Sequence, residues 1–141
     1  MGQQQILLII LSVILVGIAI SVGISMFKSY AEQSNIDAMV LDLNNLGALA
    51  FQYRIRPASM IGGDGSYIGF DEFFATLPEG MQDNSNAIYR CRVEDVEENG
   101  DYVRIRAQSK QYEDSYMWIV VNNQGKLSFR DVGEEAPDWE E

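Results

Sequence analysis

The sequence contains no histidine, one cysteine and only three prolines in 141 residues. Without histidine, the chain cannot build a Ser-His-Asp or Cys-His catalytic arrangement or an imidazole metal site. The single Cys91 excludes an intrachain disulfide, so we expect the fold to depend on packing. Since no nucleophile and base, paired carboxylates or metal-ligand spacing can be recognised, we predict no enzymatic activity, no cofactor and no metal site.

Charge is missing from one part of the chain. The first 27 residues carry none, so all 21 acidic and 10 basic residues lie at or beyond Lys28. The net charge of -11 and the isoelectric point of about 4.3 argue against nucleic acid as a partner, because the mean field repels phosphates. The acidic runs Glu94–Glu98 and Glu134–Glu141 lack the alternating spacing that wraps Ca²⁺, and we interpret them as solvated surface.

The stretch from Ile6 to Phe27 is apolar apart from three serines. As a helix with a rise of 1.5 Å per residue it would be about 33 Å long, enough to cross the roughly 30 Å hydrocarbon layer of a membrane. The uncharged start from Met1 to Gln5 is unlike a secretory signal peptide, which begins with basic residues. Lys28 weakly favours a cytoplasmic C-terminal side and the acidic remainder weakly favours the opposite, so the orientation stays open.

Small residues recur at four-residue spacing within this apolar stretch. Such spacing allows neighbouring helices to approach closely. One interpretation is that a single anchor merely tolerates small residues, and the other is that the helix packs against copies of itself. On the second interpretation, the candidate assembly positions in the helix are Gly17, Ala19, Ser21, Gly23 and Ser25.

An apolar stripe at steps of three and four continues beyond Phe27 and predicts one face of an α-helix. Polar side chains, including Asn35 and Asp42, fall mostly on the other faces. No proline interrupts before Pro57, so we predict one helix from about Gln4 to about Arg54, roughly 75 Å long. The front half would need lipid or other apolar helices on every side. The rear half would be covered by the chain's own body along the stripe Ile36, Met39, Val40, Leu43, Leu46, Leu49, Ala50 and Tyr53.

The remainder predicts a small β-rich body. The loop 57–66 is glycine-rich but has no following Lys-Ser/Thr, so it is not a phosphate loop. A short helix or turn around Asp71–Phe74 brings aromatic side chains that we interpret as core. Turn residues at Glu98–Asp101 and Asn122–Gly125 favour an antiparallel meander. Its four predicted strands are Ala87–Val96, Tyr102–Ser109, Tyr116–Asn122 and Lys126–Val132.

The predicted fold class is therefore α+β, with a long N-terminal helix packed on an antiparallel sheet of about four strands. We divide the chain into the apolar helix 1–27, its amphipathic continuation 28–54 and an acidic β-rich head 55–141. Strand alternation places Tyr89, Cys91, Val93, Val103 and Ile105 against the helix. Cys91 is then a small buried apolar residue.

The opposite face of the sheet is unusual, because it would carry cross-strand rows of arginines on an acidic protein. One interpretation is pairing with acids of the same body, each exposed pair contributing under about 1 kcal/mol. The other is contact between subunits, with the arginines meeting a neighbour's acidic surface at Glu94–Asp101 or Glu134–Glu141. The four arginines concerned are Arg90, Arg92, Arg104 and Arg106.

An uninterrupted apolar N-terminal helix with a short polar start, running into an amphipathic half that carries a small β-rich domain, resembles the type IV pilin and pilin-like superfamily. The similarity covers Met1 to about Tyr53 in pattern and the remainder in architecture. The run Asn44 to Ala50, continuing to Arg56-Pro57, also looks like bacterial pilin-like subunits.

Two departures from the family pattern stand out. Members carry a short basic leader ending in Gly and a Glu at the fifth mature position, which is thought to pair with a neighbour's N-terminal amine. Here the fifth position is Gln5 if Met1 is the mature terminus, or Leu7 if cleavage follows Gly2. The resemblance thus adds Gln5 as a sixth candidate assembly position. The helix-breaking proline common near the twenty-second position is replaced by Val22-Gly23, so a continuous helix is expected.

The resemblance implies a structural subunit of an extracellular type IV pilus-like filament that polymerises through its N-terminal helices. The expected assembly is a helical homo-oligomer. The subunit would lie in the inner membrane before assembly and on the cell surface afterwards, with a prepilin peptidase and a pilus assembly platform as partners. The alternatives are a minor pseudopilin of a secretion or uptake apparatus and a bitopic, membrane-anchored binding protein.

Overall fold

The computed structural model describes residues 2–94, 101–112 and 115–130. A long helix is followed by a short helical region and then by an antiparallel four-stranded sheet, so the predicted α+β class is confirmed. The elements are α1 (Gly2–Ile55), a 3₁₀ turn (Ala58–Met60), α2 (Phe70–Ala75), α3 (Glu79–Gln82), β1 (Ala87–Glu94), β2 (Tyr102–Ser109), β3 (Tyr116–Val121) and β4 (Leu127–Arg130).

The glycine-rich loop ends α1 by folding back on it. The backbone N–H of Gly63 donates to the carbonyl of Tyr53 at 2.9 Å, and that of Gly65 donates to the carbonyl of Arg54 at 2.7 Å. These bonds satisfy carbonyls that the last turn of a helix leaves unpaired. A Cβ at Gly63 would lie 1.8 Å from the carbonyl oxygen of Ser66, so the close return of the chain requires glycine there.

The chain divides into two compact units, residues 1–34 and residues 35–141. The second unit has a continuous hydrophobic core, in which the stripe of α1 packs with the sheet and α2. The predicted stripe is confirmed, since five of its residues are buried and Ile36, Val40 and Leu49 pack partly buried against them. The buried five are Met39, Leu43, Leu46, Ala50 and Tyr53.

The sheet is a meander in the order β1-β2-β3-β4. Val103 and Ile105 of β2 face the core, and Ile105 lies opposite Cys91 on one side and Ile119 on the other. The predicted turn after β3 is confirmed: the Asn122 side-chain oxygen accepts bonds from the backbone N–H groups of Gln124 and Lys126.

The strand ends differ slightly from the prediction. β3 ends at Val121 because Asn122 already belongs to the turn, and β4 begins at Leu127. The predicted turn Glu98–Asp101, the strand ends beyond 94 and 130, and the acidic runs lie wholly or largely outside the described residues. The 3₁₀ turn and α3 were not predicted, since neither spans enough residues to show a hydrophobic period.

Two polar side chains that were predicted on the outer faces of α1 instead face the sheet. Asn35 is buried; its side-chain oxygen accepts a bond from the Ser109 hydroxyl at 2.7 Å, and its amide donates to the carbonyl of Asn86 at 3.3 Å. Asp42 is half-buried and accepts bonds from the Tyr89 hydroxyl at 2.6 Å and from Asn84 at 2.8 Å. Both predictions were wrong because partners distant in sequence satisfy these groups, which a hydrophobic period does not reveal.

Candidate functional site

The apolar half of α1 presents its side chains outward on every side. Its large hydrophobic residues between Ile6 and Phe27 are all at least 50% exposed. The helix is long and apolar enough to cross a membrane, and it is the one such helix among the described residues. The segment is therefore compatible with membrane anchoring.

Two of the three serine hydroxyl groups in this half are satisfied by the helix itself. Ser12 donates to the carbonyl of Leu8 at 2.7 Å, and Ser21 donates to the carbonyl of Gly17 at 3.0 Å. A bonded hydroxyl costs little when it enters lipid or a helix bundle, because it does not have to give up water. These serines are therefore compatible with an apolar surrounding on all sides.

The structure places all six candidate assembly positions on this one exposed helix. At 100° per residue, Gly17 and Ser21 lie on one side, and Ala19 and Gly23 lie on the opposite side. Within the described part of the chain, nothing lies within 4 Å of a Cβ built at Gly17 or Gly23. The helix thus offers room for close approach on two opposite sides, while the assembly role of these residues stays a prediction.

The outer face of the sheet, away from α1, collects the four predicted arginines. The strand register sets Arg90 directly opposite Arg106 and Arg92 directly opposite Arg104, which gives the expected cross-strand rows. On the same face, the Arg104 guanidinium lies 5.2 Å from the ring centroid of Trp118, and that of Arg106 lies 5.7 Å from the ring centroid of Tyr116. We call this surface the Arg–aromatic face: Arg90, Arg92, Arg104, Arg106, Tyr116 and Trp118.

The two aromatic members of this face were missed from the sequence. Tyr116–Val121 is nearly all apolar, so it shows no alternation to tell the inner from the outer side. The strand register assigns Trp118 to the outer side, because Trp118 lies opposite Arg106 and shares its side of the sheet. Trp118 is only 7% exposed although it lies on the outer face. Since alternate residues of a strand face opposite sides, counting back from the turn at Asn122 would have placed Tyr116 and Trp118 on the same side.

Positive charges lie close together on the Arg–aromatic face, because each arginine of β1 lies opposite an arginine of β2. Burial lowers the pKa of Arg106, and the nearby charge of Arg90 lowers it further. Like charges directly opposite each other across a strand pair are destabilising. The assignment of the arginines to contacts within or between subunits stays a prediction.

A cleft of about 540 Å³ lies at the C-terminal end of α1, beside α2. The rings of Tyr53 and Phe73 pack together in it, with centroids 5.1 Å apart. Phe70 and Phe74 are buried, which confirms that the aromatic residues of this region form core. The cleft is lined by Tyr53, Arg56, Met60, Ile61, Gly69, Glu72, Phe73 and Thr76.

The Cys91 thiol is not an activated nucleophile. Cys91 is partly buried, and burial, with a further contribution from the charge of Asp71, raises the pKa of its thiol to about 12. Because the thiolate is the nucleophile, the neutral thiol is unreactive near pH 7. Over residues 2–94, 101–112 and 115–130, no group of three or more cysteines and carboxylates is placed to hold a metal ion.

Comparison with known proteins gives no relative. No protein-family model matches the chain, and no curated protein and no solved structure matches it. The resemblance to type IV pilins therefore rests on the pattern of the sequence.

Proposed function

We propose that this protein is a pilin-like structural subunit of an extracellular filament, and that it polymerises through the N-terminal half of α1. One observation carries the proposal. A single helix is apolar and exposed all round from Ile6 to Phe27, whereas its continuation contributes one buried stripe to the core of the second unit. An apolar surface of this extent must be covered. Lipid covers it before assembly, and the helices of other subunits cover it afterwards.

The energetics favour a reversible exchange between these two environments. Lipid tails are as apolar as leucine side chains, so helix association depends on close packing and not on the transfer of apolar surface from water. Small residues on two opposite sides, at Gly17 and Ala19, permit close packing with more than one neighbour. A plain anchor has no need of this room on both sides. The unassembled subunit would lie in the inner membrane, and the filament would lie at the cell surface.

The direct test combines one substitution with microscopy. Gly17→Leu adds bulk where helices should meet, and it should reduce the mass of filaments sheared from cells several-fold. The amount of subunit in the membrane and the unfolding of the globular unit should not change. Ile18→Leu, which keeps the side-chain volume in the same turn, is the matched control and should leave the yield of filaments normal. Negative-stain images and immunoblots of sheared and membrane fractions measure both quantities.

Three outcomes would contradict the proposal or part of it. A protein abundant on cells but absent from every filament, and monodisperse in detergent, would be a bitopic membrane protein. Low copy number with co-purification of a secretion platform would indicate a pseudopilin. Unchanged filament mass in Gly17→Leu would show that position 17 contacts no neighbour.

Mass spectrometry of the N-terminus adds an independent readout. Passage through a prepilin peptidase predicts a processed or methylated terminus on surface-sheared protein. An intact, unmodified Met1 on the same material would contradict processing by a prepilin peptidase. It would not test the packing of α1, which the microscopy measures independently.

A further inference from the structure

The apolar run of α1 ends in three exposed residues of a different kind. Phe27 is 74% exposed and Tyr30 is 69% exposed, although both carry large aromatic rings. Between them lies Lys28, which is also exposed and is the first charged residue of the chain. At 100° per residue, the two aromatic side chains leave the helix on nearly the same side, about 60° apart. An aromatic pair and a cation therefore mark the point at which the apolar surface of the helix ends.

These residue types collect where a bilayer meets water. A tyrosine ring has an apolar body and a polar hydroxyl, and tyrosine is enriched at the level of the lipid headgroups. A lysine near the end of a membrane span keeps its aliphatic stem in apolar surroundings and extends its ammonium group to the interface. There the ammonium meets lipid phosphates of opposite charge. Tyr30 and Lys28 thus fit the headgroup layer, and Phe27 fits the edge of the hydrocarbon beneath it.

The other end of the apolar run has no such residues. Gly2 and the three glutamines that follow it belong to α1, but they carry neither a charged side chain nor an aromatic ring. A glutamine amide is polar, but it lacks the charge and the ring with which the opposite end can hold the interface. The stretch from Ile6 to Phe27 is about 33 Å long against a hydrocarbon layer of roughly 30 Å, which leaves a margin of a few Å in its depth. Its depth should then be decided by the end with interfacial side chains.

We propose that Phe27, Lys28 and Tyr30 anchor α1 in the headgroup layer of a phospholipid bilayer, and that they set the depth of the helix from this end alone. The Lys28 ammonium pairs with a lipid phosphate, and the glutamine end adjusts to the thickness of the bilayer. This inference rests on the membrane stage of the proposed function. It also gives that stage a direction of exit, since withdrawal towards the Lys28 side draws no charged side chain through the hydrocarbon.

Spin labels in bilayers of different thickness test the proposal. The full chain with Cys91→Ala carries one nitroxide, on Ser29→Cys beside the anchor, on Gln4→Cys at the other end or on Val16→Cys between them. Each protein is reconstituted into phosphatidylcholine vesicles of increasing acyl-chain length. Collisions with oxygen, which concentrates in hydrocarbon, and with a water-soluble nickel chelate on both sides of the membrane measure the depth of the label. The label at position 29 should stay at the headgroups in every bilayer. The label at position 4 should sink as the bilayer thickens, with a depth change several-fold larger than at position 29.

A double substitution removes the polar part of the anchor. Lys28→Gln with Tyr30→Ala leaves amides near both ends of the run, so the label at position 29 should now move with bilayer thickness about as much as the label at position 4. Ile20→Ala is the matched control, because it removes a large exposed side chain from the middle of the run. It should leave the depths of both labels as they are in the original chain.

Three results would overturn the proposal. Equal movement of the two labels in the original chain, or movement at position 29 alone, would show that this end does not set the depth. An unchanged label at position 29 in the double variant would show that Lys28 and Tyr30 do not hold it. A label at position 16 that meets the nickel chelate freely would remove the membrane stage itself, and with it the anchor. A label at position 16 deep in lipid would confine any failure to the anchor.

Discussion

The two halves of α1 belong to one helix but differ in the burial and the hydrogen-bond partners of their side chains. Leu15 in the front half is 58% exposed, whereas Leu43 in the rear half is fully buried. The hydroxyl of Ser21 bonds within its own helix, whereas the amide of Asn35 bonds residues of the sheet region, Asn86 and Ser109. The rear half therefore packs within the globular unit, whereas the large apolar side chains of the front half are exposed.

This difference separates stability from assembly. Substitutions in the rear half should change the free energy of unfolding of the globular unit. The same substitutions in the front half should leave that free energy unchanged and should act on whatever covers the helix. Paired substitutions, one in each half, can test this separation.

The largest effect is expected for truncation of leucine. Leu43→Ala leaves a cavity in the core and should lower the free energy of unfolding by about 2–5 kcal/mol. Leu15→Ala, the matched change in the exposed half, should alter it by less than about 0.5 kcal/mol. Urea unfolding of the full chain in detergent, followed by tryptophan fluorescence, measures both. A comparable loss in the two variants would show that the front half also packs within its own chain.

The glycines give the next largest contrast. A Cβ at Gly47 would lie 2.5 Å from a methyl group of Leu127, because α1 approaches the sheet closely there. Gly47→Leu should therefore overpack the core and lower the free energy of unfolding by about 1–3 kcal/mol. Gly17→Leu should leave the urea midpoint unchanged. If Gly47→Leu were neutral while Gly17→Leu destabilised the unit, the assignment of the two halves would have to be reversed.

The sequence predicted the parts of the fold that depend on local period and turn chemistry. Hydrophobic steps of three and four gave the buried stripe of α1, and alternation in β1 and β2 placed the arginines on one face. The sequence did not predict that Gly47 lies against β4, because a close approach of the helix to the sheet produces no recognisable pattern in the local sequence. Tyr116 and Trp118 were missed for a related reason, because β3 is apolar on both faces and only its pairing with β2 assigns a side.

The buried polar contacts explain the remaining errors. Asn35 and Asp42 are polar residues of types that normally lie at the protein surface. Their burial depends on Ser109 and Tyr89, which are distant in the sequence and come close only when the sheet packs on α1. Such pairs cannot be derived from one sequence. The apolar character of the front half on every side can be, because it follows from composition alone.

A smaller contrast comes from these polar groups. Asn35→Ala removes the partner of a buried hydroxyl and should lower the free energy of unfolding by about 1–2 kcal/mol. Ser21→Ala removes a hydroxyl that bonds only within the exposed half and should leave the unfolding of the globular unit unchanged. Ser109→Ala in the Asn35→Ala background should then cost less than in the original chain. Additive effects would show that the two side chains do not act as a pair.

A last contrast comes from pH, to which the front half should not respond because the first 27 residues contain no ionisable side chain. Burial raises the pKa of Cys91 from 9.0 to about 12 and that of Tyr67 from 10.0 to about 12, and it also raises the pKa of Tyr89. Above pH 9 the unfolded chain releases the cysteine proton while the folded chain keeps it. The contribution of these three groups to the free energy of unfolding should therefore be constant below pH 9 and should fall as the pH rises towards 12.

Cys91→Ala separates the cysteine from the tyrosines. In this variant the decline of the urea midpoint should begin nearer pH 10, where the unfolded tyrosines start to ionise, whereas in the original chain it begins nearer pH 9. Circular dichroism of the same samples should show that helix is retained in the front half after the globular unit unfolds, since no group in that half has changed its charge. A midpoint that falls at the same pH in both proteins would mean that the Cys91 thiol ionises as readily in the folded chain as in the unfolded one.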